Sequence, residues 1–323
     1  MPVKFGYHAS HEQFAPSQLL QLVRRAADAG FEAVQSSDHI EPWGVEQGQS
    51  GFAFAWLGAA MLATDLPFTL VNAPGDRYHP AIVAQAIATL EERFPGRFSV
   101  ALGSGEAMNE HITGREWPPK SLRNERLGEC VSVIRRLLAG ERVTHDGLVT
   151  VHEAKVWSLP AKPPPLYAAA LSPEPARWAG TWADGLITVN QPEPQLTEIT
   201  EAFYETAGRD KPLLLQVHVC WAEDEEAAEK MALESWRGNM LPSPIAQDVR
   251  LAEHFDMAAK FIRSEDVGKT VDISSDPAWH ADNLQRYAGL GFSAVNVHQV
   301  GRNQEAFIDV FGEKVLPRIR GAQ

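Results

Sequence analysis

Cysteine is scarce in this chain: 323 residues contain two, Cys130 and Cys220, ninety positions apart. That excludes a disulfide framework and any Cys-based zinc spacing. Both lie in apolar runs and read as plain core thiols. Long hydrophobic runs are also missing; no stretch of about 20 apolar residues could span a bilayer. Met1–Phe5 leads straight into a strand pattern, so no signal peptide is expected and the expected location is the cytoplasm. Basic charge is in short supply. Lys and Arg number 29 against 42 Asp and Glu, a net charge of −13. A surface that acidic argues against nucleic acid or an anionic membrane as partner. It leaves room for a small local basic pocket facing a phosphorylated cofactor. Low-complexity tracts and internal repeats are absent.

What is present is an alternation of short β-rich runs with helical patterns. Strands are expected at Val3–Gly6, Phe31–Ser36, Pro67–Asn72, Phe98–Leu102, Leu166–Ala170, Leu186–Val189, Leu213–Cys220 and Ala294–His298. Amphipathic stretches such as Ser17–Ala29, Pro80–Arg93 and Asn124–Leu138 lie between them. Eight strands, nearly all followed by helices, predict an α/β fold: one (β/α)8 TIM-barrel domain over residues 1–323. Two stretches break the rhythm. Residues 141–165 read as a small hairpin with a Pro-rich exit, and 238–275 as a helical insertion, either a cover over the site or a surface elaboration.

Barrel enzymes work at the C-terminal ends of their strands. There the sequence places His8 and His11, then Asp38-His39, then Val71-Asn72, then Gly103-Ser104-Gly105-Glu106. After these come Ala170-Leu171-Ser172, His218 and His298. Two chemistries can use such a rim. In a redox site, a flavin ring lies in an apolar slot lined by Trp43, Trp56 and the Gly-rich loop. An ionisable His and Glu106 handle protons, and the Ser172-Pro173 helix start holds a phosphate. In a metal hydrolase, the histidines are ligands. The His8-x-x-His11 spacing counts against metal, because a strand does not turn both rings the same way. A barrel that binds flavin without turnover is a third class. The apolar rim of Trp43, Trp56 and Met108 hints at an uncharged organic substrate.

Three blocks carry a resemblance that runs nearly end to end. They are Gly6–Phe14, Ser37-Asp38-His39 with Pro42-Trp43, and Gly103-Ser104-Gly105-Glu106-Ala107-Met108-Asn109-Glu110. Together they resemble the luciferase-like flavin family, close to its deazaflavin (coenzyme F420) dependent glucose-6-phosphate dehydrogenase branch. The resemblance implies an oxidoreductase acting on a small molecule. It makes His39 and Glu106 the catalytic pair, Asp38 a contact to the cofactor ring, and Asn109, beside Glu106, a further cofactor contact. Val71, Asn72, Gly105, Ala170, Leu171 and Ser172 complete the implied cofactor contacts, with Trp43 and His8 on the substrate side. It also implies a non-proline cis peptide at Leu70-Val71 or Val71-Asn72, a homodimer, and a flavin or F420 reductase as a possible electron source. Leu171 and Ser172 stand where the dehydrogenases carry glycines near the cofactor phosphate, and the cations that hold the sugar phosphate have no clear match. These departures, and likeness to a bacterial branch that uses ordinary flavin, put FMN first and F420 second.

Overall fold

The computed structural model describes residues 2–321. Eleven strands occur among them: β1 (Lys4–Ala9), β2 (Ala33–Ser37), β3 (Phe68–Asn72), β4 (Phe98–Leu102), β5 (Val143–Asp146), β6 (Thr150–Ala154), β7 (Leu166–Ala169), β8 (Leu186–Val189), β9 (Leu213–Cys220), β10 (Asp272–Ile273) and β11 (Ala294–Gln299). Eight of them close a parallel barrel in the order β1-β2-β3-β4-β7-β8-β9-β11, with β11 returning to β1. The (β/α)8 barrel expected from the alternation is therefore the fold. The parallel strands are covered on both faces, which is why β4 is buried at every position. The helix Pro16–Asp28 shows how the outer ring is held. It starts on a proline, and it buries Leu19, Leu22, Val23 and Ala26, the face that the 3.6-residue period marks.

Strand alternation sends every second side chain into the barrel. The lowest interior positions include Thr69 and Ser99, joined Oγ1 to Oγ at 2.7 Å. Gln35 donates across the barrel to Gln216, and Ala101, Ile187 and Leu214 form a small apolar cluster inside it. Alternation then makes the uppermost interior layer His8, Ser37, Val71, Gly103, Ala169, Val189, His218 and His298. That layer is lopsided. From β3 to β8 it is small and apolar, and from β9 through β11 to β1 it is three imidazoles.

Three local outcomes differ from the sequence pattern. β1 runs on to Ala9, because His8 and Ala9 continue the ladder against Gln35 and Ser36 of β2. That makes His8 a floor residue of the mouth rather than part of a loop. The helix expected from Asn124 begins at Lys120, directly after Pro118-Pro119, which brings Lys120 and Arg123 into its first turn. The expected cis bond at Leu70-Val71 or Val71-Asn72 is absent; all peptide bonds among the described residues are trans. There β3 keeps an unbroken register with β4 through Asn72↔Leu102, and Val71 O accepts the Asp38 N–H at 3.0 Å. An extended trans backbone meets both demands.

β5 and β6 form an antiparallel hairpin. Residues 238–275 fold into short helices, Ser243–Ala246, Ala252–Ala259 and Ser264–Val267, and end in β10 beside β9. This stretch lies against two rim loops. Phe255 meets the Trp43 ring edge-on at 5.3 Å, and Gln247 O accepts the Ala107 N–H at 2.9 Å. No described helix is long and apolar enough to cross a membrane.

Candidate active site

His39 leaves the end of β2 and is held from both sides. Asn109 Oδ1 accepts the Ile40 backbone N–H at 3.0 Å, which fixes the orientation of that amide. Its Nδ2 must then donate to His39 Nδ1 at 3.2 Å. A neutral imidazole that accepts at Nδ1 carries its proton on Nε2. Glu12 Oε1 lies 3.6 Å from that Nε2. Glu12 is itself steadied by the Ser10 hydroxyl at 2.9 Å. Trp43 sits 5.3 Å from the His39 ring, centroid to centroid. His39, Trp43 and the β4 loop are thus brought together as the motifs suggested. Glu12 was quoted in a motif but given no role; its partnership with a histidine 27 positions away has no local sequence signal.

Glu106 ends the Gly-rich loop after β4. Burial raises its carboxyl above the usual range. The His39 imidazole and then the Lys120 ammonium pull it back, Glu12 pushes it up again, and Arg123 opposes that. A carboxyl raised by burial and pulled back by a histidine is a proton-handling pair in outline. Gly105 has φ +83°, a conformation that side chains rarely adopt. Gly103 opens onto the floor, where an added Cβ would meet only Ala169, at 3.8 Å.

Other expected site residues take different places. The Asp38 carboxylate is fully enclosed. It accepts from Asn72 Nδ2 at 2.8 Å, Arg77 Nη2 at 3.1 Å and the Tyr78 hydroxyl at 3.3 Å. Asp38 and Asn72 therefore brace the β2 and β3 loops from behind, because a buried carboxylate needs its partners more than the mouth needs another charge. Asn109 likewise works through His39. Trp56 is in the core, 6.3 Å from Phe68, with its indole N–H on Pro16 O at 3.1 Å. Met108 is buried as well. Leu171 and Ser172 are exposed at the rim, and the Ser172 side chain caps nothing.

Three of the five histidines weighed as metal ligands form a stack. His8 and His298 lie 4.2 Å apart and His218 and His298 5.5 Å, with Trp236 against both of the latter. His218 donates from Nδ1 to Asn190 Oδ1 at 3.0 Å, while Gln216 Nε2 donates to its Nε2 at 3.0 Å and to His298 Nδ1 at 3.4 Å. Burial pulls His218 down to about 4 and His8 and His298 well below their usual value, so all three are neutral. His11 lies apart, edge-on to Trp56. Among the described residues no three His, Cys, Asp or Glu side chains converge as ligands.

Two buried polar atoms at the mouth have no partner among the described residues: His8 Nδ1 and His298 Nε2. Leaving such an atom unpaired costs about 1–3 kcal/mol. Small apolar floor residues on one side and unpaired polar atoms on the other suit a flat, heteroatom-rich ring. Cys130 and Cys220, free and buried, take no part; burial pushes both thiols up to about 12.

Comparisons with known proteins identify the family and the fold. Residues 1–294 match the family model described as luciferase-like monooxygenase. Among curated proteins, the F420-dependent glucose-6-phosphate dehydrogenase of Microbacterium testaceum is 36% identical over 332 residues, covering 99% of this chain and 98% of that one. The enzyme of the same name from Nakamurella multipartita is 35% identical, covering 99% and 97%. Among solved structures, an F420-dependent secondary alcohol dehydrogenase in complex with an F420-acetone adduct superposes with a TM-score of 0.91 at 31% identity, over 99% of this chain and all of that one. The coenzyme F420 dependent tetrahydromethanopterin reductase from Methanopyrus kandleri, at 21% identity and TM-score 0.77, shares the fold.

Proposed function

Because the chain belongs to the luciferase-like monooxygenase family, we propose that this oxidoreductase uses the deazaflavin F420 and transfers hydride between it and a small organic alcohol or carbonyl compound. The likeness to F420-dependent dehydrogenases over the full length carries the cofactor choice. It reverses the order in which the sequence ranked FMN and F420. When bound, the cofactor supplies a two-electron hydride carrier that reacts poorly with oxygen.

The residues of the chain supply the rest. Val71, Gly103 and Ala169 leave a shallow slot with no side chain tall enough to block a flat ring, and Gly105 lets the loop after β4 turn beside it. His39 handles the substrate proton at Nε2. In the resting tautomer Nε2 bears a proton, so neutral His39 donates a hydrogen bond that polarises the carbonyl or alcohol oxygen. Any net proton that crosses at Nε2 must be replaced on, or taken from, the same nitrogen through its Glu12 Oε1 neighbour in one step, so that the ring never stands as an anion. Trp43 and the Phe255 region of the 238–275 stretch shield this exchange from water. His8 and His298 offer neutral hydrogen-bonding edges on the opposite side of the mouth.

Titration of the purified protein with F420 and, separately, with FMN tests the cofactor. Saturable quenching of deazaflavin fluorescence at one equivalent is expected. Tight binding of FMN with none of F420 would overturn the choice, and stoichiometric zinc with neither cofactor would overturn the redox reading.

Glu106 gives a pH prediction. Its carboxyl is raised, so the protonated form persists to higher pH than an ordinary glutamate. If turnover needs that proton, kcat/KM falls as pH rises through the raised value. Glu106→Gln, which cannot titrate, should lose that limb of the profile. An unchanged limb would assign it to another group.

A further inference from the structure

The hydrogen bonds behind the three imidazoles run in one direction, fixed at the far end. Asn190 Nδ2 donates to the Thr270 backbone oxygen at 3.1 Å. Its Oδ1 therefore accepts, from the His218 backbone N–H at 3.1 Å and from His218 Nδ1 at 3.0 Å. A neutral His218 with its proton on Nδ1 presents Nε2 as an acceptor. Gln216 Nε2 donates to that acceptor at 3.0 Å and to His298 Nδ1 at 3.4 Å. Gln216 Oε1 in turn accepts from Gln35 Nε2, so both ends of the Gln216 amide are assigned. His298 Nδ1 is then an acceptor, and its ring proton lies on Nε2. Each group is held in one orientation by the one behind it, from the Thr270 backbone to the mouth.

The chain ends on a donor with no acceptor. His8 and His298 are 3% and 4% exposed, their rings lie 4.2 Å apart, and neither His298 Nε2 nor His8 Nδ1 has a partner among the described residues. The Trp236 ring packed against His298 offers at most a weak π acceptor. An unpaired buried N–H costs about 1–3 kcal/mol, so a fixed donor here makes sense if a ligand accepts from it. His8 Nδ1 donates or accepts according to its tautomer. Burial and neighbouring imidazoles keep both rings neutral. An anion placed here would lose its water without meeting a counter-charge, whereas an uncharged oxygen needs only the hydrogen bonds on offer.

We propose that His298 and His8 select the substrate by holding an uncharged oxygen on it, a hydroxyl, carbonyl or ether distinct from the oxygen that reacts beside His39. This deepens the proposed oxidoreductase function and rests on it: the substrate is a neutral molecule with a second oxygen. Its reacting end lies by His39 after β2, and its second oxygen by β1 and β11, the next two strands round the barrel.

The donor is tested first, on the full chain labelled with 15N-histidine and without ligand. Long-range 1H–15N correlation spectra at pH 7, assigned with His298→Phe, should show His298 neutral with its proton on Nε2 and His218 neutral with its proton on Nδ1. A charged His298, or one with its proton on Nδ1, overturns the proposal whatever the cofactor proves to be. Titration calorimetry on the F420-loaded chain then compares cyclohexanol, trans-1,4-cyclohexanediol, which adds one neutral oxygen, and trans-4-hydroxycyclohexanecarboxylate, which adds an anion. Wild type should bind the diol about tenfold more tightly than cyclohexanol and the carboxylate more weakly than the diol. His298→Phe, which keeps an aromatic ring against Trp236, should remove the preference for the diol. His298→Gln, which keeps an N–H, should restore part of it, with both variants shown to be folded by circular dichroism. Equal affinity for diol and cyclohexanol, no binding of the diol, the carboxylate bound tightest, or a preference that survives His298→Phe overturns the subsite. A matching loss of F420 affinity in His298→Phe would give the donor to the cofactor and overturn the substrate assignment. A wild type that binds no F420 refutes the cofactor choice alone, and the same titrations on the cofactor-free chain then decide the subsite.

Discussion

Replacing His39 by Asn is expected to lower turnover by about 10²–10⁴, the usual worth of a positioned acid–base group, while cofactor affinity stays close to wild type. The reasoning rests on how His39 is held. The Asn109 amide, oriented by the Ile40 N–H, keeps Nδ1 as an acceptor, which leaves Nε2 as the only ring nitrogen able to exchange a proton beside Glu12. An Asn side chain is shorter and has no titrating nitrogen, so the proton route ends. The floor of the mouth, formed by residues on other strands, is untouched. Single-turnover kinetics by stopped flow, with cofactor Kd measured by fluorescence, separate the two effects. Unchanged turnover would remove His39 from the chemistry, and a matched loss of cofactor binding would make it a structural residue.

The second large effect is on stability. Arg77→Met should cost about 3–5 kcal/mol, the range seen when one partner of a buried ion pair is removed, and lower Tm by on the order of 10 °C. Arg77 holds Asp38 by Nη2 at 2.9 Å to the backbone oxygen and 3.1 Å to the carboxylate, and its own N–H donates to Glu110 Oε2 at 2.6 Å. Glu110 is 2% exposed, and burial pushes it up to about 7 against the pull of Arg77. The pH dependence has a definite sign. A carboxyl raised in the folded state costs nothing well below its unfolded value, and costs progressively more as pH rises to the folded one. Without the Arg77 charge the Glu110 value moves higher still, so its added cost appears only above about pH 7, whereas the Asp38 loss is present on both sides. Thermal unfolding at pH 6 and pH 8.5 should therefore show a Tm deficit at both, larger at pH 8.5. Equal deficits would mean that Glu110 is uncoupled from Arg77. A deficit near zero would mean that Asp38 and Glu110 are satisfied without it.

Where the sequence reading succeeded, local rules were sufficient. Strand positions followed from apolar runs, the helix Pro16–Asp28 from its period, and Pro80–Arg93 from a proline at its start. His39 and Glu106 each sit in a compact motif at a strand end, which is why the sequence alone proposes them. Local rules were not sufficient where a side chain had two directions to choose from. Asp38 and Asn72 looked like mouth residues, but Arg77 and Tyr78 draw the Asp38 carboxylate behind the rim. Trp56 looked like a slot wall, but the helix Ala53–Ala63 turns it into the core. Lys120 and Arg123 escaped notice because the helix was expected to begin at Asn124, after the prolines and not immediately against them.

By itself, then, the sequence determined the barrel, its family and the chemical character of its rim, since periodicity and short motifs are properties of consecutive residues. Only the tertiary structure decided which rim residues line the mouth and which brace it from behind. The tautomer of His39 depends on Asn109, 70 positions away. The neutral state of His218 depends on its burial beside Trp236 and His298. Each is set by closing eight separate strand ends into one ring, and no local pattern in the chain records what that closure brings together.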